Sequence, residues 1–227
     1  MKEMVSVVIP TYKRGSSIIR AVKSIRKEIN NAEIIIINQN AQKLGINSIV
    51  EIKAMPGFPG KKRDLGVRRA KNNIIIVMDD DNELVDWSRL EEVFKKLKDP
   101  GCGIIQVALN GKHEWVKIRL GFHGGGIIFE KKKYIMVGGY GVDYLDDVEL
   151  FLRFWAAGFQ NWRTTILTSK HHIGEKGGLK DLLRIKRKTY AHLYLSELDR
   201  MYPHLIERTT KSWLGFRIKK GFGRVNK

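Results

Sequence analysis

Apolar positions along the first 110 residues alternate between two periods. Val5 to Pro10 is a compact apolar run that predicts a strand, ended by Pro10. Ser16 to Ile29 carries Ile18, Ala21, Val22 and Ile25 at helical spacing, behind a cap from Ser16 or Ser17. Glu33 to Asn38 predicts a second strand and Ser48 to Lys53 a shorter third. Pro56, Gly57, Pro59 and Gly60 mark a loop before a basic helix from about Lys61 to Lys71. The run Ile74 to Met78 follows as a buried strand, then a helix from Trp87 to Leu97. Such alternation implies right-handed crossovers and a mostly parallel sheet covered by helices on both faces. Ligands then belong at the carboxyl ends of the strands.

Past residue 100 the pattern changes. Gly103 to Ala108 predicts another strand, and Gly124-Gly125-Gly126 opens a strand through Ile127 to Phe129. Gly138-Gly139-Tyr140-Gly141 is a backbone-permissive loop. Asp146-Asp147 starts a helix to about Ala157, which puts both acids in a first turn where the helix dipole favours negative charge. That placement suits a structural pair, and equally a general base facing a crevice. After Gly158 the chain reads as extended to Ile166 and Leu167, and His171-His172 follows in a loop rich in Ser, Lys and Gly. There is no internal repeat or low-complexity segment.

Composition changes the picture in two ways. The chain has 227 residues, 43% of them hydrophobic, enough for one large domain or a domain with a tail, and its single cysteine, Cys102, excludes an internal disulfide framework and fits a reducing compartment. No apolar run approaches the roughly 18 residues that cross a bilayer, and the first residues lack a secretory apolar core, so the expected location is cytoplasmic, soluble or peripheral. The formal charge of +18 favours an anionic partner: nucleic acid, a phospholipid surface or a phosphorylated substrate. Residues 176–227 hold 14 Lys/Arg and 4 Asp/Glu, more than half of that excess. A division into 1–175 and a basic 176–227 extension is therefore expected.

The sharpest chemical signal is Asp79-Asp80-Asp81 at the carboxyl end of an apolar strand. Three adjacent carboxylates repel one another unless solvent screens them or a divalent cation neutralises them. Oxygen ligands suit Mg²⁺ or Mn²⁺ bridging to substrate phosphates, which points to a nucleotide-diphosphate site. The plainer reading is an acidic turn in which Asp81 and Asn82 lead into the next helix.

Together these elements resemble the family 2 inverting glycosyltransferases of the GT-A fold, over roughly residues 4–175. Val5-Ser6-Val7-Val8-Ile9-Pro10-Thr11-Tyr12 is similar to that family's first strand and nucleotide-binding turn, and Gly60 with Arg63-Asp64-Leu65-Gly66 to its Arg-Asn-x-Gly helix start, with Asp64 where Asn is usual. Asp79-Asp80-Asp81 takes the place of the DXD motif. Gly138-Gly139-Tyr140 and Asp146-Asp147-Val148-Glu149-Leu150-Phe151-Leu152-Arg153 resemble the Gly-Gly-Phe loop and the acidic motif ending in Leu-x-x-Arg, while Gly158-Phe159 and His171-His172 resemble the closing segment.

The resemblance implies a GT-A-type, Rossmann-like α/β domain with a mostly parallel sheet, followed by a basic helical extension. It implies a UDP- or GDP-linked donor contacted by Pro10, Thr11, Tyr12, Arg14, Asn38, Asn40, Arg63, Asp79 and Asp80. A Mg²⁺ or Mn²⁺ ion would be held by Asp81, Asp79 and one of His172 and His171, with His172 taken first. Asp147 is the implied base, Asp146 the lesser candidate, and Gly125, Gly126, Gly139 and Tyr140 would line the acceptor or donor sugar. One base opposite the leaving group implies inversion. Where the family carries one or two Asp after the second strand, this chain has Asn38-Gln39-Asn40, which leaves the base identity open. His113, Trp115 and His123 stand in a short acceptor region, as contacts or as packing.

Two other classes fit part of the sequence. A nucleotidyltransferase would share the strand-tip acids, but Thr11-Tyr12-Lys13-Arg14-Gly15 is a faint phosphate loop. A basic nucleic-acid module would explain the charge and leave the acids unexplained; no nucleic acid is expected as a partner. The extension predicts a helix from Gly178 to Met201, a break at Pro203, and then Trp213, Leu214, Phe216, Ile218 and Phe222 among Lys and Arg. That mixture suits an anionic membrane surface carrying a glycan or lipid-linked acceptor, and equally a helix packed on the catalytic domain with a solvated basic end.

Overall fold

The computed structural model describes residues 3–11, 15–40, 42–55, 57–109, 113–119, 121, 125–141 and 146–172, with the backbone of 206–208 and 216–218. In chain order the elements are β1 (Val5–Thr11), α1 (Gly15–Glu28), β2 (Glu33–Asn38), β3 (Val50–Lys53), α2 (Pro59–Arg69), β4 (Ile74–Val77), β5 (Asn82–Asp86), α3 (Leu90–Leu97), β6 (Cys102–Val107), β7 (Trp115–Ile118), β8 (Ile127–Glu130), α4 (Lys131–Met136), α5 (Asp146–Ala156), β9 (Gln160–Thr164), β10 (Thr168–His171), β11 (Ile206–Arg208) and β12 (Phe216–Ile218).

Eight strands form one sheet in the order β3-β2-β1-β4-β8-β6-β9-β7. The β3-β2-β1-β4 half is parallel, β8 runs antiparallel between β4 and β6, and β7 runs antiparallel on the far edge. The two-residue strand period sorts the side chains into two cores. Val5, Val7, Ile9, Ile34, Ile36, Ile74 and Ile76 face α1 and α3, and Val8, Ile35, Ile37, Ile75 and Val77 face α2 and α5. Both faces are dry, which is why these strands read as unbroken apolar runs.

Several boundaries move for identifiable reasons. The first helix begins at Gly15, so Ser16 and Ser17 lie in its first turn. The second begins at Pro59, whose fixed φ and missing N–H suit a first helical position, so what reads as a loop marker is a helix start. The helix expected from Trp87 begins at Leu90, because the chain first runs as β5 against β10. Trp87 is buried in the turn between them, its indole N–H donating to Ser169 Oγ at 3.3 Å. His171 ends β10 rather than lying in a loop. The sequence also gave no warning of α4, where three lysines mask a short helix. Buried Lys133 donates to the carbonyls of Leu97, Asp99 and Cys102 at 2.8–3.2 Å, neutralising the carboxyl end of α3.

Residues 1–173 and 174–227 form two compact units. In the second, the described backbone is an antiparallel pair, with Ile206 opposite Ile218. The helix expected over Gly178–Met201 and the apolar positions Trp213, Leu214 and Phe222 lie outside the described residues.

Candidate active site

Three carboxylates at the end of β4 are kept apart by three different partners. The chain turns at once, with Asn82 N–H donating to Asp79 O at 3.2 Å, and enters β5. Asp80, buried at the crevice between β1 and β4, accepts from Thr11 Oγ1 at 2.7 Å. Asp79, more open, meets Arg63 Nη2 at 2.6 Å. Asp81 Oδ1 lies 3.1 Å from His171 Nε2, because β10 pairs antiparallel with β5 and sets His171 opposite Asn82. His172 donates its backbone N–H to Asp81 O at 2.8 Å while its ring sits 2.7 Å from Glu83 Oε2. The geometry therefore turns His171 toward the strand-tip acids and His172 toward Glu83, the reverse of the order in which the sequence ranks them. Among the described residues no group of three or more His, Cys, Asp and Glu side chains is gathered for a metal. Asp81 and His171 instead pair one carboxylate oxygen with one ring nitrogen. That suits an ion which keeps waters and takes its other ligands from a diphosphate.

The second wall is built by α2 and α5. Arg63 also meets Asp146 Oδ2, through Nη1 at 2.6 Å, so one buried guanidinium joins the strand tip to the start of α5. Burial opposes the Arg63 charge, but Asp79 and Asp146 outweigh it and hold its pKa above the ordinary range. Burial raises the Asp146 carboxyl, and Arg63 pulls it back. The two helices meet closely because residue 60 is glycine: a Cβ there would lie 2.5 Å from Gly141 O and 2.7 Å from Asp146 Cβ. Asp64 accepts from Tyr134 Oη at 2.6 Å and from Arg68 Nε at 2.7 Å, and Tyr134 Oη accepts the Tyr140 N–H at 2.9 Å. A neutral Asn would accept the phenol but would form no ion pair with Arg68, which gives the departure at position 64 a physical reason. This chain of bonds fixes the Gly139–Tyr140 loop, with Gly139 at φ +73°. Burial lifts the Tyr140 phenol well above its ordinary pKa, so it stays neutral.

Other expected residues separate into distinct places. Asp147 is half-buried and accepts the Val148 N–H at 2.8 Å, so of the two helix-start acids it is the more accessible. Asn38 is buried, and its amide serves the local loop: it donates to Glu51 Oε1 and Gln42 O and accepts the Asn40 N–H. Asn38 therefore shapes the β2 exit rather than presenting its amide to a base, while Asn40 is half-buried beside it. Pro10 is half-buried and Thr11 buried at the end of β1. Gly125 and Gly126 bond with Val107 on β6 before entering β8. Trp115 lies on β7 and packs against the core, and the His113 carbonyl accepts from Thr165, so both belong to the sheet edge. Tyr12, Arg14 and His123 lie outside the described residues. Sequence reasoning missed Lys62, which donates to Gln39 Oε1 at 2.6 Å and whose pKa is lowered by burial and then by Arg63. It also missed Glu83.

An α/β sheet of this order, with acids where β4 leaves the sheet and the acidic start of α5 joined to them through Arg63, is a GT-A-type fold. The family model for glycosyl transferase family 2 matches residues 6–136, and the chain belongs to that family. This decides among the three classes compatible with the sequence. A search of curated proteins gives no significant match.

The fold is similar to that of the mannosyltransferase PcManGT from Pyrobaculum calidifontis, solved in complex with GDP-Man and Mn²⁺. The TM-score is 0.69 at 16% identity, over 86% of this chain and 64% of that one. It is also similar to S. aureus TarS 1–349 in complex with UDP-GlcNAc, with a TM-score of 0.61 at 12% identity, over 77% of this chain and 59% of that one. The chain thus spans less than two thirds of either. At these identities the likeness is one of fold.

Proposed function

We propose that this chain transfers a sugar from a UDP- or GDP-linked donor to an acceptor hydroxyl, with a divalent metal at Asp81 and His171 and inversion at the anomeric carbon. The observation that carries the reading is the single buried Arg63 held between Asp79 and Asp146. It sets the strand-tip acids and the start of α5 in one rigid frame, with Asp147 beside it as the accessible acid.

The acids and His171 would seat a metal-bound diphosphate, and the bound ion would supply charge neutralisation for the leaving group. Thr11 and Asp80 hold the ends of β1 and β4 together beneath it. Asp147 takes the acceptor proton as the hydroxyl oxygen bonds to the anomeric carbon and the bond to the diphosphate oxygen breaks. Direct displacement by one base reverses the anomeric configuration. Asp146, buried and paired with Arg63, positions rather than accepts. Nucleotide sugars bound in the two similar structures support a donor of this class.

The acceptor in this reading is a glycan or lipid-linked hydroxyl, reached at the cytoplasmic face of an anionic membrane through the basic residues 203–227. Among the described residues no helix is long and apolar enough to cross a membrane. Thermal-shift titration with UDP- and GDP-sugars tests the donor site. Stabilisation that requires Mn²⁺ or Mg²⁺ and vanishes in Asp81→Ala is the expected result.

A further inference from the structure

The nucleoside end of this site has its own chemistry. The parallel strands fan from β1 in two directions, to β2 and β3 on one side and β4 on the other, so the ligand crevice opens between the carboxyl ends of β1 and β4. The acids and His171 lie at the β4 side of that crevice, and Asp147 lies on α5, whose core contacts are on the α2 side of the sheet. A diphosphate seated at the acids, with its sugar toward Asp147, leaves its nucleoside to run along the other rim, past Thr11 to the exit of β2.

At that exit stand Gln39 and Lys62. Gln39 N–H donates to Thr11 O at 3.1 Å, which locks the residue onto the end of β1. Its side-chain oxygen accepts from Lys62 Nζ at 2.6 Å, and both side chains are half-buried. An ammonium has no acceptor, so only the oxygen of the amide can face it, and the orientation of Gln39 follows from the chemistry. What the pair has left to offer a ligand is then dominated by donors: two ammonium N–H groups and the amide NH₂.

A pair richer in donors than in acceptors separates the bases at the one edge position where they differ. Guanine and uracil present a keto oxygen where adenine and cytosine present an amino group, which is itself a donor. We propose that Lys62, braced by Gln39, is a specificity-determining residue that selects keto-base nucleoside diphosphates over amino-base ones. This rests on the donor-site reading above and deepens it, and it takes the place of the base-facing role that the family resemblance implies for Asn38.

The test is isothermal titration of the full chain with UDP, GDP, CDP and ADP in the presence of Mn²⁺, for wild type, Lys62→Met and Lys62→Arg. Wild type is expected to bind UDP or GDP about 10- to 100-fold more tightly than CDP and ADP. Lys62→Met is expected to lose that margin by weakening only the keto-base ligands, and Lys62→Arg, still donor-only, to retain it. An equal loss for all four nucleotides in Lys62→Met would make Lys62 a phosphate contact and overturn the proposal, as would an unchanged preference. Wild type binding none of the four would instead overturn the donor-site reading itself. Unfolding midpoints of the variants, expected to match wild type, separate these outcomes from misfolding.

Discussion

Arg63 Nη1 lies 2.6 Å from Asp146 Oδ2, a contact between residues 83 apart in sequence that fastens the second helix to the fifth. Its other nitrogen holds Asp79, so the guanidinium is shared between the two acidic segments of the site. Removing it would leave buried Asp146 without this charge partner, beside an Asp79 that is partly open to solvent. Arg63→Met is therefore expected to cost about 3–5 kcal/mol in unfolding free energy. Arg63→Lys keeps the charge but cannot span both acids, and is expected to stay folded with lower turnover and little change in nucleotide affinity. Denaturant unfolding and a separation of kcat from KM check both. A full-rate Arg63→Lys enzyme would show that the bridge is structural only.

The histidines give a second prediction. Because His171 faces Asp81 and His172 faces Glu83, His171→Ala is expected to weaken Mn²⁺ affinity in the presence of nucleotide by about 10- to 100-fold, and His172→Ala by clearly less. A Mn²⁺ titration followed by electron paramagnetic resonance checks this. Equal affinity in both single variants and wild type would remove the histidines from the metal site.

The alkaline limb of stability is a third. Burial pushes the Cys102 thiol up to about 11 from an ordinary 9.0, and burial also raises the Tyr134 phenol. Both groups have folded pKa values above their unfolded ones. Their contribution is complete below the unfolded values and declines as pH rises through the folded ones. Stability is expected to fall from about pH 9 upward, with Cys102 accounting for about 2–3 kcal/mol of the loss by pH 11. Cys102→Ala should flatten that limb in part, leaving the Tyr134 share. An unchanged slope would contradict the assignment to Cys102.

The basic extension supplies a fourth. Each basic residue near an anionic leaflet contributes about 1 kcal/mol, and residues 203–227 combine several with aromatic side chains. The full chain is expected to co-sediment with anionic but not neutral liposomes, in a salt-sensitive manner. A chain ending at Met201 should remain in the supernatant. Equal partitioning of the two would remove the membrane role.

The strands that position the site were legible because both faces of the sheet are buried, so β1, β2 and β4 are written as apolar runs whose ends fall within two residues of Pro10, Asn38 and Asp79, β1 running on through Pro10 to Thr11. The pieces that complete it were not. Strand β5 is Asn82-Glu83-Leu84-Val85-Asp86, with Leu84 buried and Val85 exposed, too short and mixed to show a period before Trp87 begins a plausible helix. Its partner β10 is Thr-Ser-Lys-His, with no apolar residue. Their pairing alone tells His171 from His172. Lys62 went unnoticed because a lysine in a basic helix reads as surface, and only the fold carries Gln39 to it across 23 positions. Arg63 was legible as a residue of interest, but its two partners are set by topology.

The measurement closest to the central claim is nucleoside diphosphate release from a panel of UDP- and GDP-sugars, with Mn²⁺ and with chelator, for wild type, Asp81→Ala and Asp147→Asn. Wild type should release UDP or GDP from at least one donor only with metal, and Asp81→Ala should neither bind nor release. Asp147→Asn should bind the donor as wild type does and lose turnover. Metal-independent release, or near wild-type turnover in Asp147→Asn, would contradict the account.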